Sequence, residues 1–216
     1  MSDVFRELKK YANKLVDSGL VVGAGGNISM RDGDYMYISP SGYDLKETYD
    51  DDWVKVNIKT GEILSPLKPS SEILMHLECF RRNKKINAVL HAHPTYSIAV
   101  SSTGQDIPAM FPDFPAIVKN ISYIDYVIPT THELADAVAE VIEVSQAVVM
   151  RNHGVLTVGT TMKEAFFYMQ ITEEAAKVYA ISSMIGKPRI LTEEECSDLR
   201  NLSSETYRAE LLKRST

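Results

Sequence analysis

The sequence predicts an α/β layered domain with a mixed, mostly antiparallel central sheet. Three observations predict it. Short apolar runs of strand length alternate with amphipathic helical segments, the pattern of helices packed on a sheet. Some strands are separated by turns too tight for a crossover helix, so the sheet is not all parallel. No repeat, low-complexity run or linker divides the 216 residues, so a single domain over 1–216 is expected.

Taken in order, Val4, Leu8, Tyr11 and Leu15 fall at helical spacing, and that helix should stop near Gly19. A glycine-rich loop, Gly23-Ala24-Gly25-Gly26-Asn27, follows. Tyr35–Ile38 reads as a short strand ended by the turn Ser39-Pro40-Ser41-Gly42. Val54–Ile58 reads as a second strand, with Lys59-Thr60-Gly61 as a hairpin turn. Ser70–Arg82 reads as a helix capped by Ser70 or Ser71, with Ile73, Leu74, Leu77 and Phe80 as its apolar stripe. Ala88–His91 reads as a buried strand, and Pro94 suits the first turn of the next helix. Thr130-Thr131-His132-Glu133 reads as a capping box for a helix through Glu143. Ala147–Met150 and Val155–Val158 read as strands on either side of Asn152-His153-Gly154. A second capping box, Thr161 to Glu164, opens a long helix that Gly186 and Pro188 stop, and a last helical stretch follows Thr192.

Composition narrows the function classes. The hydrophobic share of 44% and charged share of 24% are ordinary for a globular chain and argue against disorder. A formal charge of −6 disfavours broad contact with nucleic acid, although one small anion needs only a few local donors. The polar start, Met1–Lys10, lacks the apolar core of a signal peptide, and no run approaches the roughly 18 apolar residues of a membrane helix. A cytoplasmic protein without membrane partners is expected. Cys79 and Cys196 form no motif and read as reduced thiols, with a long-range bridge as the alternative.

The chemistry centres on histidine. In His91-Ala92-His93, residues i and i+2 of a strand share a face and can chelate a metal. The bland alternative is two polar residues at a strand end, and one His-x-His is a weak signal. Two features strengthen the metal. The pair ends an apolar run, where unpartnered imidazoles are costly. A third histidine, His153, follows the apolar run Ala147–Met150 and precedes Gly154, which permits a sharp turn. Three histidines with an open fourth position describe a catalytic zinc site. His76 and His132 have no partner at ligand spacing and take the bland reading. Glu72, in the first turn of its helix, complements the helix dipole or moves a proton; a zinc enzyme at neutral pH needs such a group. Three polar loops, Gly25 to Ser29, Ser39 to Gly42 and Pro69 to Glu72, carry the hydroxyls and N–H groups that a phosphate needs. Each alone reads equally as a turn or cap. The glycine-rich loop has neither dinucleotide-binding spacing nor a Walker lysine.

Together and in this order, Gly26-Asn27-Ile28-Ser29, Ser39-Pro40-Ser41-Gly42, Ser70-Ser71-Glu72, His91-Ala92-His93-Pro94 and Asn152-His153-Gly154 resemble the class II aldolase/adducin-like family, from about Gly19 to Tyr179. The resemblance implies a three-layer fold and a zinc-dependent aldolase acting on a small phosphorylated sugar. Such an enzyme cleaves a ketose 1-phosphate of the L-fuculose 1-phosphate kind, reversibly, to dihydroxyacetone phosphate and a short aldehyde. It further implies Zn²⁺ on His91, His93 and His153, with Glu72 as acid/base. Asn27, Ser41, Gly42, Ser70 and Ser71 would hold the substrate phosphate, in a C4 homotetramer with interfacial sites.

The chain departs from the family pattern in three places. Ala24 stands where a threonine is common. Ile107-Pro108-Ala109 is not followed by the tyrosine acid of the aldolases. Asp113 lies near the place where the related 4-epimerases use an aspartate, yet those commonly have Asp where this chain has Glu72. The second acid is therefore assigned to Asp113 or to Tyr207 of the tail. An epimerase, a decarboxylase or dehydratase, and a metal-free interaction domain like the adducin head stand as alternatives; the intact histidine set argues against the last.

Overall fold

The first apolar stripe forms α1 (Asp3–Asp17), which buries Leu8, Tyr11, Ala12 and Leu15. Gly19 ends it at φ +68°, with Leu20 N donating to Leu15 O and Gly19 N to Val16 O, the paired bonds of a left-handed helix cap. The computed structural model describes residues 3–213.

Among the described residues, seven strands form one sheet: β1 (Asn27–Asp32), β2 (Tyr35–Ile38), β3 (Val54–Asn57), β4 (Ala88–Ala92), β5 (Ile121–Ile124), β6 (Ala147–Met150) and β7 (Gly154–Gly159). Their order is β3-β2-β1-β4-β7-β6-β5. Only β5 and β6 are parallel, so the sheet is mixed and mostly antiparallel, as expected. The remaining helices are α2 (Ile73–Arg82), α3 (Thr95–Ser102), α4 (Asp113–Ile117), α5 (His132–Ile142), α6 (Met162–Ile185), α7 (Glu193–Asn201) and α8 (Ser203–Leu212). Among the described residues, no helix is long and apolar enough to cross a membrane.

Side-chain alternation builds three layers. In β4, Ala88, Leu90 and Ala92 join the core under α1 and α6, while Val89 joins the core under α2 and α5. By the same period of two, His91 faces the α2 layer. β6 and β7 alternate likewise: Val149 and Val155 on one side, Val148 and Leu156 on the other.

Five local differences from the sequence reading have physical causes. β1 lies where the sequence suggests only the end of the glycine-rich loop, because its alternation is just four residues long; Asn27 and Ser29, alternating with Ile28 and Met30, are buried polar residues facing α2. β5 was missed because its four residues are only half-buried at the sheet edge. α2 begins at Ile73, not Ser70, with Glu72 at its N-cap; Ser70 Oγ accepts instead from Glu72 N at 3.3 Å. The cap of α5 is Thr131, one residue later than read, and Thr130 takes φ +68°. Thr161 caps α6, but the Glu164 carboxylate accepts from Thr160 N at 2.7 Å instead of closing a box on Thr161. Cys79 and Cys196 are both buried free thiols.

Candidate metal centre

β4 and β7 run antiparallel with His91 opposite Leu156 and Ala92 opposite Val155. The turn from β6 into β7 therefore lies beside the end of β4, and His153 on that turn meets His91 and His93. The turn requires Asn152 at φ +60°, a conformation that asparagine tolerates better than most residues. Arg151 pins it, donating to the carbonyls of Ser101 and Gln105 and pairing with Asp106 at 2.6 Å.

Gly154 makes the convergence of rings sterically feasible. A Cβ there would sit 2.4 Å from Ala92 O, 2.9 Å from His93 Cδ2 and 3.0 Å from His91 Cε1. With hydrogen in that place, the ring centroids of His91 lie 4.8 Å from His93 and 4.9 Å from His153.

The donor atoms point at a common centre. His91 Nδ1 donates to Val155 O at 3.0 Å, since a carbonyl can only accept. That bond turns a bare Nε2 inward. It lies 3.0 Å from His93 Nε2 and 3.2 Å from Glu72 Oε2, while His153 Nε2 lies 3.0 Å from Glu72 Oε1. The ligand atoms of Glu72, His91, His93 and His153 all fall within 4.8 Å of one another. Ligands about 2.0–2.1 Å from a tetrahedral zinc lie about 3.3 Å apart, so the spacing suits such an ion. Glu72 Oε1 is buried, and the group that faces it is His153 Nε2.

Electrostatics follow from burial and crowding. Burial pushes the Glu72 carboxyl up, but the neighbouring His91 and His153 rings and the hydrogen bond from Asn27 hold it well below the usual carboxylate range. Burial and the neighbouring His91 bring His93 down to about 4. Burial, with His91 again, brings His76 down to about 3. A neutral His93 beside an ionised carboxylate suits a metal, which binds imidazole through a deprotonated nitrogen.

The structure thus brings Asn27, Glu72, His91, His93 and His153 together. Ser70 is buried, with its Oγ accepting from Glu72 N, while Ser41, Gly42 and Ser71 are exposed. The two serine loops lie back to back: Ser41 N donates to Lys68 O at 2.9 Å and Ser70 N to Ser39 O at 3.0 Å. Asp113 instead pairs with Arg208 at 3.1 Å, in a cleft of about 760 Å³ between α4, α6 and α8. Tyr207 on α8 is exposed. Among the described residues no hydrogen bond or ion pair joins either to the histidines. His76, given the bland reading, is fully buried and bonded to Asn27 and Ser29. Its signal was its place four residues after Glu72, on the same helix face.

The model of the class II aldolase and adducin N-terminal domain matches residues 6–180. The chain belongs to this family. A 5-deoxy-D-ribulose 1-phosphate aldolase of Bacillus thuringiensis serovar kurstaki is 35% identical over 195 residues, covering 89% of this chain and 92% of that one. A solved L-fuculose 1-phosphate aldolase superposes with a TM-score of 0.86 at 33% identity, covering 96% of this chain and 97% of the other. A 3-oxo-tetronate 4-phosphate decarboxylase of Escherichia coli (strain K12) is 33% identical over 203 residues, 90% of this chain and 94% of that one. The chain is accordingly a metal-dependent lyase with the class II aldolase fold.

Two outcomes are expected of the centre. Gly154→Ala should lower the metal content of the purified protein measured by mass spectrometry, by 10-fold or more in affinity, because the new methyl displaces both rings; wild-type retention would contradict the cradle. The second concerns the metal-free protein. His76 and His93 have folded pKa values below the ordinary 6.5, so at these two positions the unfolded chain gains protons first as pH falls past 6.5. Stability should be flat above that pH and decline from 6.5 toward 4, and urea denaturation across this range should show it.

Proposed function

We propose that this chain is a zinc-dependent aldolase that cleaves a ketose 1-phosphate, of the L-fuculose 1-phosphate kind, reversibly to dihydroxyacetone phosphate and a short aldehyde. The observation that carries the reading is the buried carboxylate of Glu72, held beside three converging imidazoles with Oε1 facing His153 Nε2. Zinc bound by His91, His93 and His153 would supply the Lewis acidity that stabilises negative charge on the ketone-derived half of the substrate.

The rest of the chemistry belongs to side chains. Cleavage breaks the bond between the α- and β-carbons of the ketone, and its electron pair stays on the α-carbon as an enediolate. Glu72 delivers a proton to the carbon of that enediolate and removes it in the reverse direction. The hydroxyl on the aldehyde side must lose its proton as the bond breaks. That step is assigned to Asp113 or Tyr207. Neither contacts the histidines within one chain, which suits a site completed across a subunit boundary in a C4 homotetramer. Ser41, Gly42, Ser70, Ser71 and Asn27 are assigned to the phosphate, where the paired serine loops offer hydroxyls on one rim. Buried, unpaired thiols suit a reducing cytoplasm.

A decarboxylase acting on a phosphorylated keto acid is the second reading, favoured by the relative of that activity. It shares the need for charge stabilisation at an enediolate but releases carbon dioxide. A 4-epimerase would recombine the two fragments.

A screen of ketose 1-phosphates with zinc should release dihydroxyacetone phosphate from at least one substrate. Carbon dioxide from a keto acid, with no triose phosphate from any ketose, would establish the second reading instead. Glu72→Gln should keep the metal on the three histidines and lose solvent-proton exchange into dihydroxyacetone phosphate, by about 100-fold or more. Full exchange in that variant would remove Glu72 from the mechanism.

A further inference from the structure

A buried polar chain runs from β1 to the carboxylate of Glu72. Ser29 Oγ lies 2.6 Å from His76 Nδ1, His76 Nε2 lies 2.6 Å from Asn27 Oδ1, and Asn27 Nδ2 lies 2.8 Å from Glu72 Oε2. All four residues are buried, Ser29 and His76 completely. The pairing has a geometric basis. Asn27 and Ser29 stand two apart on a strand, about 7 Å along it. Glu72 and His76 stand four apart on a helix, about 6 Å along it. The two spacings match, so both pairs meet at once.

The direction of every proton follows from one end. An ionised carboxylate only accepts, so Asn27 turns its amide nitrogen to Glu72 and its oxygen to His76. His76 must then donate from Nε2. Burial keeps the ring neutral, so Nδ1 carries a lone pair and accepts from the Ser29 hydroxyl. Three donors point in series toward a single oxygen. The other oxygen, Oε1, lies outside this chain and faces His153 Nε2 at 3.0 Å.

We infer that His76 is a positioning residue: acting through Asn27, it immobilises Glu72 Oε2 and leaves Oε1 as the oxygen that gives and takes the proton. This rests on the proton-transfer role given to Glu72 above. A rigid contact on one oxygen prevents the carboxylate from rotating, so its reactive lone pair keeps its aim.

Two measurements test it. In the metal-free wild-type protein, imidazole ¹⁵N NMR should show His76 neutral with its proton on Nε2; a proton on Nδ1 would reverse the chain and overturn the inference. In the zinc-loaded protein, glutamine and asparagine at position 76 separate the two ring nitrogens, since a glutamine amide reaches the place of Nε2 and an asparagine amide that of Nδ1. His76→Gln should recover most of the maximal rate of proton exchange into dihydroxyacetone phosphate. His76→Asn and His76→Leu should lose 10- to 100-fold in that rate, with little change in KM and in bound zinc. Equal rates in the glutamine and asparagine variants, or a fall that only follows lost zinc, would overturn the positioning role. A wild-type protein that catalyses no exchange would sink the aldolase reading, and the NMR arm would still decide the direction of the chain.

Discussion

Three imidazoles and a carboxylate are packed about one point at the end of β4, and the surrounding structure is arranged around that crowding. Four hydrogen-bonding groups this close are costly in a buried place unless a cation or a shared proton separates their lone pairs. The chain meets the requirement with backbone devices instead of bulk. Gly154 removes a methyl that would collide with two rings and a carbonyl. Asn152 accepts a left-handed conformation so that the turn can deliver His153. The Val155 carbonyl fixes which nitrogen of His91 faces inward. Each device acts through β4 and β7, the central antiparallel pair, so the geometry of the donors is inherited from the register of the sheet.

Much of this was legible in the sequence, for identifiable reasons. The apolar runs at Ala88–His91, Ala147–Met150 and Val155–Val158 lie at the centre of the sheet, where burial on both faces leaves an uninterrupted signal. His91, His93 and His153 could be grouped because the two shared a strand pattern and the third adjoined a turn glycine. β1 was illegible for the opposite reason. It alternates polar and apolar over only four residues, Asn27 to Met30, directly after the glycine-rich loop, and its polar pair, which points at the site, is buried where such a pattern implies a solvent face. The same cause hid His76: a histidine within a helix looks ordinary until the strand across from it is known. Asp113 and Tyr207 are a third kind of case. One is tied to Arg208 and the other is exposed, and a single chain offers neither a contact with the histidines.

The two halves of the centre differ in how they are held. The nitrogen donors are set by strand pairing and a glycine, whereas Glu72 sits at the start of α2, outside the sheet, and depends on side-chain bonds for its place. The sheet supplies rigidity that cannot easily be tuned. The helix N-terminus supplies a carboxylate whose setting can be altered by one side chain without moving a strand.

The bridge between Pro40 and Pro69 joins the two serine loops, and the main-chain bonds between them involve neither β4 nor β7. Evolution can therefore redraw the rim for a differently shaped substrate while the metal donors stay untouched. A single scaffold can in this way be handed from one carbon–carbon lyase to another by drift at its edge, and relatives with aldolase and decarboxylase names on the same fold are what such inheritance would leave behind.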